Sequence, residues 1–180
     1  MIIINNEEIL RHPCTDVLPE EVSELRDLLE KELMNSARLG NPGIGLAAPQ
    51  IGIHKKIAIV RINNELKVDL VNCRIDKKYN LQLFKDEGCL SFPNRREDTM
   101  RYQEITIIDN LVAPHNFIAT DLFAICIQHE LDHLNGILLP DKAIIRTKFK
   151  VGPNETCPCG KINPITHKPF KYKKCCGKNG

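Results

Sequence analysis

No stretch of this 180-residue sequence reaches the roughly 18 consecutive apolar residues that a membrane-spanning helix needs. The amino terminus, MIIINNEEILRHP, also lacks the basic segment and long apolar run of an exported chain. Membrane insertion and secretion are thereby set aside, and the expected location is the cytoplasm, with no membrane partner. That expectation bears on the eight cysteines, Cys14, Cys73, Cys89, Cys126, Cys157, Cys159, Cys175 and Cys176. In a secreted mini-protein they would suggest disulfides; without export, metal binding or buried thiols are favoured.

Acidic residues are almost missing from the end of the chain. Residues 142–180 hold 10 Lys+Arg and one Glu, a net charge of +9, whereas residues 1–141 hold 15 Lys+Arg and 22 Asp+Glu, a net charge of −7. An acidic globule therefore carries a basic tail, which suits a polyanionic partner such as nucleic acid or serves as a solubilising terminus. The cysteines divide in the same way, four scattered over the first 141 residues and four within the last 24. A hydrophobic content of 42% is enough to bury one core. These shifts divide the chain into a main domain over 1–146, a basic linker over 147–156 ending in VGPNET, and a Cys-rich unit over 157–180.

Periodicity sets the expected elements. From Pro19 to Leu39 the residues Val22, Leu25, Leu28, Leu29, Leu33 and Met34 recur at three and four, which predicts an amphipathic helix ending near Gly40-Asn41-Pro42-Gly43. KIAIVRI (56–62), LKVDLVN (66–72), YNLQLF (79–84) and QEITIID (103–109) read as strands separated by polar turns. From about Ala119 to Leu134 the pattern turns helical again, with Leu122, Ile125, Cys126, His129 and His133 along one face and Gly136 as a stop. The fold class is α+β: antiparallel or mixed sheets around a central helix, with a small knuckle at the end.

That helix carries QHELDHLNG (128–136). His129 and His133 stand four apart, so 3.6 residues per turn bring both imidazoles to one face, within reach of a single metal ion. Glu130 is swung about 100° round the helix, where its carboxylate faces a water on the ion and exchanges protons with it. Cys126 shares the face, but it lies about 10 Å along the axis from His133 and its side chain is short, so it is read as pocket wall. Cys89, in DEGCLSFP, follows a predicted strand, and Gly88 permits an unusual backbone turn that would aim the thiolate at the helix. Cys14 and Cys73 read as buried thiols. A Cys, His, His set leaves a fourth position open, as catalytic sites require. GIGLAAPQIG (43–52) adds small residues that let backbone approach a ligand, and Gln50 offers an amide donor for an oxyanion.

In this order, GIGLAAPQIG, EGCLS and QHELDHLNG resemble the three signature motifs of the peptide deformylases, and the resemblance extends over about residues 1–140. It implies an enzyme that removes the N-formyl group from the initiator methionine of nascent polypeptides and releases formate. It further implies Cys89, His129 and His133 as ligands of Fe(II), with Zn, Ni or Co as substitutes, and Glu130 as general base and acid. Gln50 and the backbone N–H of Leu90 would hold the oxyanion, Gly45 would line the peptide groove, and Ile44, Leu122, Ile125 and Cys126 would wall the methionine pocket. Glu87 and Arg101 match a pair that steadies the cysteine loop and are read as structural. Lys85 and Asp86 depart from the family, which often has an apolar residue near the pocket there.

In the tail, CPCG (157–160) and KYKKCCG (171–177) bring two cysteine pairs, and four thiolates suit one tetrahedral Zn(II). The spacing resembles a short zinc motif, often called SEC-C, found at the end of the bacterial preprotein-translocase ATPase. INPITHK lengthens the intervening segment, which offers His167 as a substitute ligand. Lys161, Lys168, Lys171, Lys173, Lys174 and Lys178, interleaved with Phe170 and Tyr172, suit contact with ribosomal RNA or protein. Two other readings stand beside the deformylase. One is a zinc metallopeptidase on the same HExxH helix, and the other is an idle deformylase-like domain whose tail binds zinc and nucleic acid.

Overall fold

The computed structural model describes residues 1–108, 116–144, 154–157, 163, 166 and 168–175. The chain divides into two compact units, Met1–Ile144 and Ile145–Gly180. In the first, a short helix α1 (Glu7–Leu10) is capped by Asn6, whose side chain accepts the Ile9 N–H at 3.3 Å. After a 3₁₀ turn over Pro19–Glu21, helix α2 spans Val22–Arg38. Its buried stripe is Leu29, Leu33 and Ser36, with Val22 and Leu25 packed beside it. Met34, expected on that stripe, is 54% exposed because one position past Leu33 turns it away from the core.

Strands β1 (Gly45–Ala47), β2 (Ile57–Arg61) and β3 (Lys67–Val71) form one sheet in that order. Strands β4 (Arg74–Cys89), β5 (Phe92–Ile108) and β6 (Phe117–Thr120) form the other. Every pairing between these strands is antiparallel. Strand β2 shows why IAIV reads as a continuous apolar run. Ile57 and Ile59 pack with Leu29 and Leu33 of α2, whereas Ala58 and Val60 pack with Ala124, Ile127 and Leu131 of the second long helix, so both faces of the strand are buried.

That helix, α3 (Asp121–Leu134), begins later than its periodicity suggests. Ala119 and Thr120 belong to β6, where they pair with Ile105 and Glu104. Its end matches the expected stop: Gly136 has φ 69°, its N–H donates to His133 O at 3.1 Å, and the Ile137 N–H donates to Asp132 O at 2.9 Å. A last turn, α4, covers Leu139–Lys142. YNLQLF and QEITIID prove to be parts of one hairpin whose strands run 16 and 17 residues, while Asp109 lies outside the described residues.

In the second unit Thr156 bridges Lys171 in antiparallel fashion, the Cys157 N–H donates to Phe170 O at 2.7 Å, and a 3₁₀ turn covers Tyr172–Lys174. Cys157 is buried and Cys175 half-buried. Cys159, Cys176 and His167 lie outside the described residues.

Candidate metal centre

The β4–β5 hairpin closes with Cys89 paired to Phe92, so only Leu90 and Ser91 form the turn and the cysteine sits at the tip. Gly88 keeps a negative φ, which corrects the expected glycine turn. What its missing side chain provides is room, since a Cβ there would fall 2.0 Å from the Arg96 guanidinium. The tip meets α3 where His129 and His133 project, and one ligand atom from each of Cys89, His129 and His133 lies within 4.8 Å of the others. Cys89 Sγ is 3.2 Å from His133 Nε2. The two imidazole rings stand 5.0 Å apart at 72°.

These donors are enclosed. Cys89 is 8% exposed and His133 1%. Burial lowers His133 well below the ordinary histidine range, whereas at His129 burial is outweighed by the hydrogen bonds to Cys89 and Glu87, which raise it. The donor set of one thiol and two imidazoles, partly dry, fits a transition-metal cation.

His129 is oriented from behind. Its Nδ1 donates to Glu87 Oε1 at 2.6 Å, which turns Nε2 toward Cys89 and His133. Glu87 also accepts from Arg101 Nη2 at 2.6 Å, Arg101 Nε at 2.9 Å and Thr99 Oγ1 at 2.5 Å. Arg101 continues to Asp132 Oδ2 at 2.5 Å. Burial alone would raise the Glu87 carboxyl, but the hydrogen bonds from His129 and Arg101 hold it well below the usual carboxylate range. Glu87 and Arg101 are 4% and 3% exposed and pair directly, as the resemblance implies, within a buried network. They steady His129, and no local signal in EGCLS announces that role.

Glu130 is 4% exposed, and desolvation pushes its carboxyl up to about 7. It fits because Gly45 has no side chain: a Cβ there would lie 2.3 Å from Glu130 Oε1. Among the described residues, Glu130 Oε2 and His133 Nδ1 are the buried side-chain atoms with no hydrogen-bond partner. Glu130 lines the cleft, where a bound water or substrate would take up its free oxygen, whereas His133 meets Cys89 through Nε2 and its Nδ1 faces away from the centre. Gln50 is held on both sides, its Oε1 accepting the Ala47 N–H at 2.9 Å and its Nε2 donating to Ser91 Oγ at 3.1 Å. The same Nε2 lies 3.7 Å from Cys89 Sγ. Ser91, fully buried, is a partner the motif reading did not single out.

A cleft of about 260 Å³ opens onto these groups. Gly45, Gln50, Cys89, Leu90, His129 and Glu130 line it, whereas His133 lies behind them. Ile125 and Cys126 form a deeper wall, each 8% exposed, and Ile44 and Leu122 stand at the mouth, 40% and 45% exposed. Burial pushes the Cys126 thiol up to about 12, so it stays neutral and serves as wall. Cys14 and Cys73 are half-buried, less enclosed than expected.

A family model described as polypeptide deformylase matches residues 1–149. The peptide deformylase of Microchaete diplosiphon is 37% identical over 142 residues, covering 76% of this chain and 74% of that protein. Peptide deformylase 1 of Bacillus subtilis is 37% identical over 144 residues, covering 78% and 88%. A peptide deformylase from Synechococcus elongatus in complex with actinonin has a TM-score of 0.69 at 32% identity, with 81% of this chain and 79% of that chain covered. A Met-Ala-Ser-bound class I type b peptide deformylase from Acinetobacter baumannii has a TM-score of 0.67 at 27% identity, with 79% and 96% covered.

Proposed function

This chain belongs to the polypeptide deformylase family, and on that premise we propose that Cys89, His129 and His133 share one divalent cation while Glu130 moves the proton of the hydrolysis. The chain is a metal-dependent hydrolase that removes the N-formyl group from nascent polypeptides during protein biosynthesis. Fe(II) is the cation proposed, with Zn, Ni or Co as substitutes, since thiolate and imidazole accept them all. When bound, the cation supplies Lewis acidity at the formyl carbonyl and lowers the pKa of water.

The chain's own groups do the rest. Glu130 takes the proton of the attacking water at its carboxylate and returns it to the methionine nitrogen as that amine leaves formate. Gln50 Nε2 and the Leu90 N–H donate to the oxygen that gains charge, and Gln50 arrives preorganised because Ala47 and Ser91 hold its amide. Gly45 leaves the space that the Glu130 carboxylate occupies. Ile44, Leu122, Ile125 and Cys126 receive the methionine side chain, in keeping with the Met-Ala-Ser bound by the Acinetobacter baumannii protein.

The observation that carries this reading is the convergence of three ligand atoms within 4.8 Å beside a buried, unpartnered carboxylate oxygen. Glu130→Ala is expected to keep one cation per chain and to lose formate release from formyl-Met-Ala-Ser by about 10²–10⁴-fold. Near-normal turnover in that variant would remove Glu130 from the role. Peptide-bond cleavage without formate would favour the metallopeptidase.

The tail is read as a second metal unit in which Cys157, Cys159, Cys175 and Cys176 surround one Zn(II), with His167 as the alternative fourth ligand. A unit this small has too little core to fold unaided, and the burial of Cys157 supports an enclosed sulfur there. Its lysines would dock the enzyme to ribosomal RNA or protein in the cytoplasm, where formylated chains emerge. No helix among the described residues is long and apolar enough to cross a membrane. Salt-insensitive co-sedimentation with ribosomes, or equal binding after deletion of residues 151–180, would refute docking.

A further inference from the structure

One wall of the cleft breaks the rule of strand alternation. Side chains on a regular strand alternate faces, so residues 84 and 87 of β4, three apart, ought to point in opposite directions. Both are on the inner side. Phe84 pairs with the fully buried Thr99 and lines the cleft, while Glu87 is buried against Thr99, Arg101 and His129.

The ladder reconciles them with one extra residue. Phe84 pairs with Thr99 and Glu87 with Glu97, so three steps along β4 oppose two along β5, which is a β-bulge. Asp86 makes it by adopting a left-handed φ of 56°, and its N–H donates to Asp98 Oδ1 at 3.3 Å. Of Lys85 and Asp86, where the resemblance leads one to expect an apolar residue near the pocket, Lys85 is exposed and does not line the cleft, whereas Asp86 does line it. Phe84 does, half-buried, and it is the single aromatic residue among those that line it.

We infer that the bulge at Lys85 and Asp86 recruits Phe84 as a wall of the methionine pocket and makes it a specificity-determining residue of this chain. The inference rests on the deformylase reading of the cleft. Phe84 lines the same cleft as Ile125 and Cys126, and an aromatic wall suits an unbranched, flexible thioether side chain. A thioether gains about two- to tenfold in affinity beside an aromatic ring. A second aromatic side chain would have to displace Phe84.

The test uses metal-loaded protein with formyl-Met-Ala-Ser and formyl-Phe-Ala-Ser, and measures binding of the unformylated Met-Ala-Ser product by calorimetry. Phe84→Ala is expected to lower kcat/KM for the methionine substrate about tenfold, mostly through KM, and to weaken Met-Ala-Ser to a similar degree. Its use of the phenylalanine substrate should rise, so that the preference for methionine collapses. Phe84→Leu should fall between, which keeps the test alive if the alanine variant folds poorly. Leu83→Ala, on the outer face opposite Met100, should match the parent chain. A Phe84→Ala protein with unchanged preference and unchanged Met-Ala-Ser affinity would overturn the inference while formate release stood. Absence of formate release by the parent chain would instead remove the reading beneath it.

Discussion

Strand β2 buries Ile57, Ala58, Ile59 and Val60 completely among apolar neighbours on both faces. The hairpin of β4 and β5 buries Glu87, Thr99 and Arg101 on one face and leaves Tyr79, Leu81 and Leu83 about half exposed on the other. The first sheet contributes burial of apolar area, which needs no particular partner geometry. The second holds charged groups out of water, which is tolerable only where each is hydrogen-bonded to another. The difference teaches where chemistry is built in this fold: apolar residues of both sheets, Ala58 and Val60 of β2 with Ile105 and Ile107 of β5, seat the helix, and the polar part of the hairpin fixes what the helix presents.

Two substitutions of similar cost to stability should separate these tasks. Glu87→Gln removes the charge that Arg101 and His129 share, and should cost about 3–5 kcal/mol of stability. It should also weaken cation binding about 10–100-fold, because His129 loses the anion that orients it. Calorimetric melting together with competitive chelation measures both. Ile59→Ala should cost about 2–5 kcal/mol through the cavity it leaves between β2 and α2. Its cation affinity, measured in the folded protein, should equal that of the parent chain. Equal losses of affinity in both variants would erase the distinction between the sheets.

The smallest effect is expected at the rim of the molecule. Arg11 donates to both oxygens of Asp141, at 2.7 and 2.9 Å, and this pairing, with help from the Leu138 N–H, holds the Asp141 carboxyl below its ordinary value of 3.8. A lowered folded-state value means that the stabilisation is present above about pH 4 and is lost as pH falls through the folded value. Both side chains are 37% exposed and screened by solvent, so Arg11→Ala should cost at most about 1 kcal/mol at pH 7. The cost should shrink as the solution is acidified. Urea midpoints at pH 7 and pH 3 would show it, and a pH-independent difference would contradict it.

Much of this was legible beforehand, for identifiable reasons. Strands β2 and β3 and helix α2 announce themselves because burial on one or two faces leaves a regular apolar period. Cys89, Gln50, Glu130, His129 and His133 are legible because each stands in a short motif whose spacing has a chemical purpose. The length of the β4–β5 hairpin is not, since its outer face alternates weakly and its register shifts at three points. Of the ion network, the Glu87–Arg101 pair is legible through the resemblance, but its extension to Asp132 and to His129 is not, because these residues lie 31 and 42 positions from their partners and meet only in three dimensions. Phe84 is hidden for a related reason: a bulge changes which face a residue takes without leaving a mark in composition.

The sharing of one cation by Cys89, His129 and His133 is tested most directly by X-ray absorption at the edge of the bound metal. One sulfur and two imidazole nitrogens are expected to surround the ion, with loss of the sulfur signal together with formate release in Cys89→Ala. A shell without sulfur in the parent chain, or full formate release by Cys89→Ala, would contradict it.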